Sequence, residues 1–187
     1  MIGHPQPLKF ASRIGVRCCA TAREPSMRLP ATAPAVRLMT DFTTETALVV
    51  EPVVRIDEAL EKMRRHGVRA LLVVEGEDLL GLVSAYDILG EKPIQFLQNP
   101  VCDHYPCTHL DVHVGNVMTP LEELPVLDRD WVESATIADV LAAFDATVHM
   151  HLLVVQRSDP DEVPVACGLF SRTRLERALA RQAQGHA

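Results

Sequence analysis

The sequence predicts a mixed α/β fold built from two copies of one βαββα unit. A repeated apolar pattern, a constant spacing between the copies and a polar turn inside each copy support this prediction. After an apolar stretch at helical spacing, the first copy has extended runs at 71–74 and 81–84, and the second has them at 152–155 and 168–171. The helix and first run of the two copies are 81 positions apart, and the second runs are 87 apart. This duplicated order determines the fold class more firmly than any single window does.

Each copy reads in order as strand, helix, strand, turn, strand and helix. The polar, glycine-containing residues 75–78 predict a short hairpin in the first copy, and a longer polar loop around 159–162 accounts for six extra residues in the second. Thr136 lies three residues before Asp139, which predicts a capped start for the first helix of the second copy. Arg55 holds the matching place in the first copy, so we expect a less well capped helix there.

Composition and charge restrict the class of protein. The 187 residues are 48% hydrophobic but only 4% aromatic, so Val, Leu, Ala, Ile and Met must build the core. The net charge of −7 divides into +5 over residues 1–38 and −12 over residues 39–187. An acidic body argues against binding to nucleic acid through a phosphate-contacting face. No apolar run approaches the roughly 18 residues of a membrane-spanning helix, which argues against a membrane protein.

The cysteines and the first residues bear on location. Five cysteines, with Cys18 and Cys19 adjacent, argue against a disulfide framework and favour a reducing, cytoplasmic location. Residues 1–35 predict a basic Pro/Ala/Arg-rich tail that is disordered. A transit-type targeting peptide and translation from Met27 or Met39 are alternatives that this composition leaves open. The remaining predicted parts are a first unit at 36–92, a linker at 93–113, a second unit at 114–181 and a C-terminal tail at 182–187.

The segments that lead into the two copies complete a family pattern. Residues 36–40 and 114–120 both contain Met-Thr, at an offset of 79, and the helix at 56–63 and the Gly-Leu-Val-Ser-Ala-Tyr-Asp segment at 81–87 follow the first of them. Because these segments follow one another in the same order in both copies, the sequence resembles a pair of cystathionine-β-synthase (CBS) domains, a Bateman module, across roughly residues 36–181. The resemblance implies two βαββα units related by a pseudo-twofold axis, with ligand clefts between them and frequent pairing of modules into a homodimer. It also implies regulation by an adenosine-containing ligand: AMP, ADP, ATP or S-adenosylmethionine.

Ser84 and Asp87 are the first candidates for binding such a ligand. Ser84 follows a strand and precedes a helix, so its hydroxyl and the free N–H groups of the first helical turn can face a phosphate. Asp87 lies one turn further on, where a carboxylate can accept two hydrogen bonds from a ribose diol. The alternative is a capping box, in which the two residues only stabilise the helix start, by about 1 kcal/mol.

The second copy departs from this pattern. Ser171 is retained, but Arg174 stands where the first copy has Asp87, and a guanidinium cannot accept a ribose hydroxyl. That cleft is altered or empty, and Arg172 and Arg174 either hold a further phosphate or are solvated. Arg69 precedes the first copy's 71–74 strand, where the resemblance implies the phosphate end of the cleft. Because the residue matching it in the second copy is not basic, the sequence predicts one functional nucleotide site.

The linker is rich in metal-ligating residue types. Cys102, His104, Cys107 and His109 could fold round one zinc or iron ion, although their spacing is not that of a common zinc ribbon or knuckle. Cys102 and Cys107 could alternatively form a redox-sensing pair. An ordinary polar linker is the third interpretation.

Catalytic motifs do not occur in the sequence: there is no Walker-type loop, nucleophile elbow or His-Glu-x-x-His helix. We therefore expect a stand-alone regulatory protein, not an enzyme, that needs no cofactor. It would bind an adenosine nucleotide in one interdomain cleft and so modulate its self-association or an unknown partner protein. The alternatives are a ligand-free dimerisation module and a metal or redox sensor built on the linker.

Overall fold

The computed structural model describes residues 29–76, 78–99, 107–157 and 164–183, which divide into two compact units. The first-repeat unit is Ala47–Glu123, and the second-repeat unit combines the described residues up to Thr46 with those from Leu124 onward. Strands are β1 (Thr40–Asp41), β2 (Val49–Val50), β3 (Ala70–Glu75), β4 (Asp78–Ser84), β5 (Thr119–Pro120), β6 (Val126–Asp128), β7 (His151–Gln156) and β8 (Val165–Ser171). Helices are α1 (Ile56–His66), α2 (Ala85–Leu89), α3 (Lys92–Leu97), α4 (Val114–Val117), α5 (Arg129–Ser134), α6 (Ile137–Asp145) and α7 (Arg172–Ala183).

The two units contain sheets of the same design. The first-repeat sheet has the order β2-β3-β4-β5 and the second-repeat sheet has the order β1-β8-β7-β6. Each sheet contains one parallel pair, at one edge, and two antiparallel pairs: β2–β3 is the parallel pair in the first sheet and β6–β7 in the second. Ala70 pairs with Ser84 in the first hairpin, and His151 pairs with Ser171 in the second. Both hairpins also shift register at the same place, after Val73 and after Val154. The predicted α/β fold with two related units is confirmed.

Local predictions about turns and caps can be compared with the strands and helices. Two residues separate β3 from β4 and eight separate β7 from β8, so the length difference falls inside the hairpin as expected. The loop residues at 159–162 lie outside the described residues. Thr136 accepts a hydrogen bond from the Asp139 N–H, and Arg55 makes no side-chain cap, which confirms both capping predictions.

The pairing of the short strands β1 and β5 shows which unit contains each of the segments that lead into the two sequence copies. β1 precedes the first repeat in sequence, yet it pairs with β8 of the second-repeat unit. β5 precedes the second repeat, yet it pairs with β4 of the first-repeat unit. Each compact unit therefore contains one sequence copy and the segment that leads into the other copy. The boundaries 36–92 and 114–181 remain a description of the sequence repeat.

Buried aliphatic side chains fill both units. The first-repeat core consists of Val50, Ile56, Ala59, Met63, Leu71, Val73, Val83, Ile88, Val112, Val114 and Val117. The second-repeat core includes Val132, Ile137, Val140, Phe144, Leu152, Val154, Phe170 and Leu175, together with Leu29, Ala33, Ala35, Leu38 and Met39 from the leading segment. None of the helices in the described ranges is both long and apolar enough to cross a membrane.

The leading segment of the second-repeat unit is bound by its backbone as well as by its side chains. The Ala35 N–H donates to the Ala135 carbonyl at 2.9 Å, and the Ile137 N–H donates to the Ala33 carbonyl at 3.0 Å. Residues 29–35 were assigned by composition to a disordered tail, but they are packed against α6, which corrects that assignment for this stretch. Residues 1–28 and 184–187 lie outside the described residues.

A chain that begins at Met39 should lose the stability of the second-repeat unit. It would lack the buried Leu29 and Leu38, and burying each leucine contributes about 2–5 kcal/mol by comparison with leucine-to-alanine changes in other cores. Urea unfolding of residues 39–187 should show the loss of at least part of the cooperative transition. A chain that begins at Met27 keeps every described contact and is the control. Equal stability of the two truncated chains would contradict this prediction.

Gly81→Ala should destabilise the protein more than Gly168→Ala. A Cβ at Gly81 would collide with the Thr119 carbonyl oxygen and lie 3.1 Å from the Pro120 Cα, so the backbone of β5 would have to move. A Cβ at Gly168 would meet the Met39 side chain, with Sδ at 2.6 Å, and a methionine side chain can change rotamer. We expect a loss of about 1–3 kcal/mol for Gly81→Ala and a smaller loss for Gly168→Ala in thermal unfolding. The reverse order would show that β5 is not a fixed backbone neighbour of β4.

Candidate functional site

The start of α2 holds Ser84 and Asp87 in a closed hydrogen-bonded arrangement. Ser84 is buried and ends β4. Its N–H and its hydroxyl donate to Oδ2 of Asp87, at 2.8 and 2.6 Å. In return the Asp87 N–H donates to Ser84 Oγ at 3.3 Å. The capping box considered from the sequence is therefore formed, and the Ser84 hydroxyl proton is directed at Asp87.

The first-turn amides of α2 are also largely engaged within the protein. The Ala85 N–H donates to the Arg69 carbonyl at 2.9 Å, and the Asp87 N–H is taken by Ser84. The expectation of free N–H groups facing a phosphate is therefore wrong for these two amides. Because α2 is only five residues long, its contribution to anion binding by a helix dipole is also small.

Lys92 and Thr119 complete the cluster, although neither was among the sequence candidates. Lys92 begins α3, and its Nζ lies 2.6 Å from Asp87 Oδ1 and 3.2 Å from Thr119 Oγ1. The Asp87 side chain is 13% exposed and the Lys92 side chain 39% exposed. Both carboxylate oxygens of Asp87 thus have protein donors, one from Ser84 and one from Lys92. The repeated Met-Thr pair could have indicated Thr119, whereas no pattern in the sequence indicates Lys92.

Arg69 immediately precedes β3, next to the start of α2. Its neighbour Ala70 pairs with Ser84, and its own carbonyl accepts the first amide of α2. The Arg69 side chain is exposed. The structure therefore places the Arg69 backbone next to the start of α2 and joins Ser84 to Asp87, and a common ligand site of the three side chains stays a prediction.

The second-repeat unit has a different cluster at the equivalent place. Ser171 ends β8, and the Arg174 Nη1 donates to the Thr40 hydroxyl at 3.1 Å. Thr40 is the repeat counterpart of Thr119, which accepts from Lys92 in the other unit. Each unit therefore places a cation on the hydroxyl of the threonine that its short strand brings in. In the first-repeat unit the Asp87 carboxylate accompanies that cation at the helix start, whereas Arg174 itself stands at the matching position in the second.

Arg172 is held by two carboxylates at the start of α7. It lies 2.7 Å from Asp145 and 2.8 Å from Glu176. The hydrogen bond to Glu176 and the charge of Asp145 raise the pKa of Arg172, against an opposing effect of desolvation. Of the two arginines considered for a second phosphate, Arg172 is thus already paired with acidic side chains.

An ion pair at Asp41, the residue after Thr40, attaches β1 to α5. Asp41 Oδ2 lies 3.2 Å from the Arg129 Nη2. Burial works to raise the pKa of Asp41, but hydrogen bonds from Thr43 and Arg129 outweigh it, so the pKa lies below its usual value. The carboxylate is therefore the stable form, and its charge attaches β1 to the start of α5.

The linker gives no support for a metal centre in its described portion. Cys107 is disulfide-bonded, and His109 is exposed in a 3-10 helix at His109–Asp111. The candidates Cys102 and His104 lie outside the described residues. Within the described ranges, no three His, Cys, Asp or Glu side chains are grouped to hold a metal ion.

Comparisons with known proteins agree with this architecture. The family model of the CBS domain matches residues 39–93. An inosine-5'-monophosphate dehydrogenase of Korarchaeum cryptofilum (strain OPF8) is 29% identical over 101 residues, which are 54% of this chain and 20% of that protein. The chain thus spans about a fifth of the length of this curated relative.

Solved structures match most of the described fold. A structure of CBSX2, a CBS-pair protein of Arabidopsis thaliana, in complex with AMP is 25% identical and covers 81% of this chain and 98% of that one, at a TM-score of 0.51. An uncharacterised conserved protein of Pyrococcus horikoshii is 20% identical over 80% of this chain and 94% of that one, at a TM-score of 0.52. The chain thus contains a matched CBS domain at residues 39–93, and the second sheet of the same design, together with these likenesses, is consistent with a tandem CBS pair, a Bateman module.

Proposed function

We propose that this chain is a non-catalytic regulatory CBS-pair protein that binds an adenosine nucleotide through the first-repeat unit. The ligand would then modulate self-association or a partner protein. One observation carries the proposal: Asp87 is held at a helix start in a chain 25% identical to a protein whose structure is in complex with AMP. The whole-protein activity of the dehydrogenase relative is not carried over, because so little of that protein is matched.

Asp87 has the geometry required of a ribose-binding carboxylate. Ser84 fixes one oxygen of Asp87 through two hydrogen bonds, so the orientation of the carboxylate is set before any ligand arrives. Oδ1 instead faces Lys92, which carries the more exposed side chain of the pair. When Lys92 moves aside, Oδ1 can accept from a ribose hydroxyl while Ser84 still holds Oδ2. A preorganised acceptor lowers the entropy cost of binding.

The second-repeat unit would not bind a ribose in this way. Arg174 has the position that Asp87 has in the other unit, but its guanidinium can only donate. It contacts Thr40, whereas Asp87 contacts Lys92. We therefore propose one ribose-binding position, with Ser84 and Asp87 at the sugar and the exposed Arg69 toward the phosphate. Ser171 and Arg174 would contribute to anion contact without reading the sugar.

AMP is the first ligand to test, because it is the one in the complex of the CBSX2 relative. ADP, ATP and S-adenosylmethionine share the adenosine part and follow. A regulatory effect would require the ligand to bind two arrangements of the protein with different affinities, since equal affinities shift no equilibrium.

The alternative function is a ligand-free interaction module. The observation that favours it is the occupation of both Asp87 oxygens by protein donors. If that arrangement never opens, the cluster serves only to cap α2 and to connect α2 with α3.

Asp87→Ala should abolish AMP binding, while Asp139→Ala should preserve it. Asp139 is a matched control because it forms a capping box with Thr136 at the same distances, 2.8, 2.6 and 3.3 Å. Each variant should lose some stability with its cap. In differential scanning fluorimetry AMP should raise the melting temperature of wild type and Asp139→Ala, since a ligand at 100 times its Kd adds about 2.7 kcal/mol.

Two results would count against the proposal. An unchanged melting temperature of wild type with AMP, ADP, ATP and S-adenosylmethionine would favour the ligand-free module. Undiminished binding to Asp87→Ala would place any nucleotide elsewhere in the protein.

A further inference from the structure

Lys92 occupies the one oxygen of Asp87 that a ribose would use. We propose that Lys92 is a specificity-determining residue: it covers this oxygen in the unliganded protein and moves to the phosphate when a nucleotide binds. The site would then discriminate against uncharged nucleosides. This inference rests on the proposed function, because it concerns the same site.

The contacts of Asp87 define what an incoming sugar must displace. Oδ2 already accepts two hydrogen bonds, at 2.8 and 2.6 Å, from Ser84, and Ser84 is buried. Oδ1 lies 2.6 Å from Lys92 Nζ. Each carboxylate oxygen accepts about two hydrogen bonds, so Oδ1 can take both hydroxyls of a ribose diol only if the ammonium group gives way. Lys92 is able to do so, because its side chain is 39% exposed and extends on a flexible four-carbon stem.

Charge balance then distinguishes the ligands. The Asp87–Lys92 pair is neutral as a whole. A nucleoside replaces the ammonium group with neutral hydroxyl donors and leaves Lys92 without a charged partner. A nucleotide brings its own anion, so the displaced ammonium exchanges a carboxylate for a phosphate. Hydrogen bonds between charged groups are about twice as strong as neutral ones, which makes the second exchange the favourable one.

The Thr119 hydroxyl keeps the ammonium group close to the site. Thr119 is buried on β5 and accepts from Lys92 at 3.2 Å. The second-repeat unit provides independent support, since Arg174 donates to Thr40 at 3.1 Å in the matching place. The capping carboxylate is replaced there by Arg174 itself, yet the contact between a cation and a threonine is kept. The contact with the threonine therefore does not require an acidic residue at the position of Asp87, and phosphate binding is a role that fits the charge of the cation.

Lys92→Met is the test, because methionine keeps an unbranched side chain and removes the charge. Isothermal titration of the full chain with AMP and with adenosine gives the ratio of the two affinities. In wild type AMP should bind more tightly. In Lys92→Met the AMP affinity should fall and the adenosine affinity should rise, since Oδ1 is uncovered, so that the ratio decreases at least tenfold. Lys62→Met is the matched control: the Lys62 Nζ donates to the Val49 carbonyl in the same unit, and the ratio should stay at the wild-type value.

The outcomes separate this inference from the proposed function. If wild type and Lys92→Met bind AMP with the same preference over adenosine, the role of Lys92 is refuted while nucleotide binding stands. If neither protein binds either ligand, the proposed function is refuted and this inference with it. Lys92→Gln is the second neutral variant and should give the same decrease if Lys92→Met does not fold. Lys92→Arg should retain a preference for AMP, because it retains the charge.

Discussion

The pairing of two very short strands is the constraint on which the rest of the arrangement depends. β5 joins β4 and β1 joins β8, each through two residue pairs. These pairings bring Thr119 to Lys92 and Thr40 to Arg174. At both edges the approach is so close that a glycine faces the incoming segment, since a Cβ at Gly81 or Gly168 would collide with it. The contact of Lys92 with Thr119 therefore depends on close backbone packing at Gly81, whereas the neighbour at Gly168 is the Met39 side chain, which can change rotamer.

Two residue pairs are too few to hold a strand alone, because each net hydrogen bond contributes only about 1 kcal/mol. Other contacts of the same segments supply the remainder. β1 is held by the Asp41–Arg129 ion pair, and the residues before it are buried in the second-repeat core. β5 directly follows α4, whose Val114 and Val117 are buried in the first-repeat core. Each threonine is consequently positioned by a whole packed segment, and this makes its hydroxyl a fixed partner for a mobile cation.

The fold was predictable where its signals are local. Helical spacing, the hairpin turn and the Thr136 cap are each set by residues within a few positions, so they could be read directly. The unit in which each leading segment packs could not be predicted. The offset of 79 between the two Met-Thr pairs is the same whichever copy each pair packs against. Ser84 and Asp87 were found from their spacing. Lys92 was missed because Gly90 ends α2 before it, and only the packing of α3 returns its ammonium group to Asp87.

The acidity of the folded region explains why fixed cations matter here. Residues 39–187 carry a net charge of −12, so the long-range field opposes the approach of a phosphate and is screened beyond about 8–10 Å at physiological salt. Recognition of an anion must then come from cations in direct contact with it. The first-repeat unit holds Lys92 beside the Asp87 carboxylate, and the second-repeat unit holds Arg174 beside the Thr40 hydroxyl. The first arrangement contains both an acceptor for hydroxyl groups and a cation, whereas the guanidinium that replaces the aspartate in the second can only donate. One substitution, an arginine where its repeat counterpart is an aspartate, is thus sufficient to make two similar folds chemically unequal.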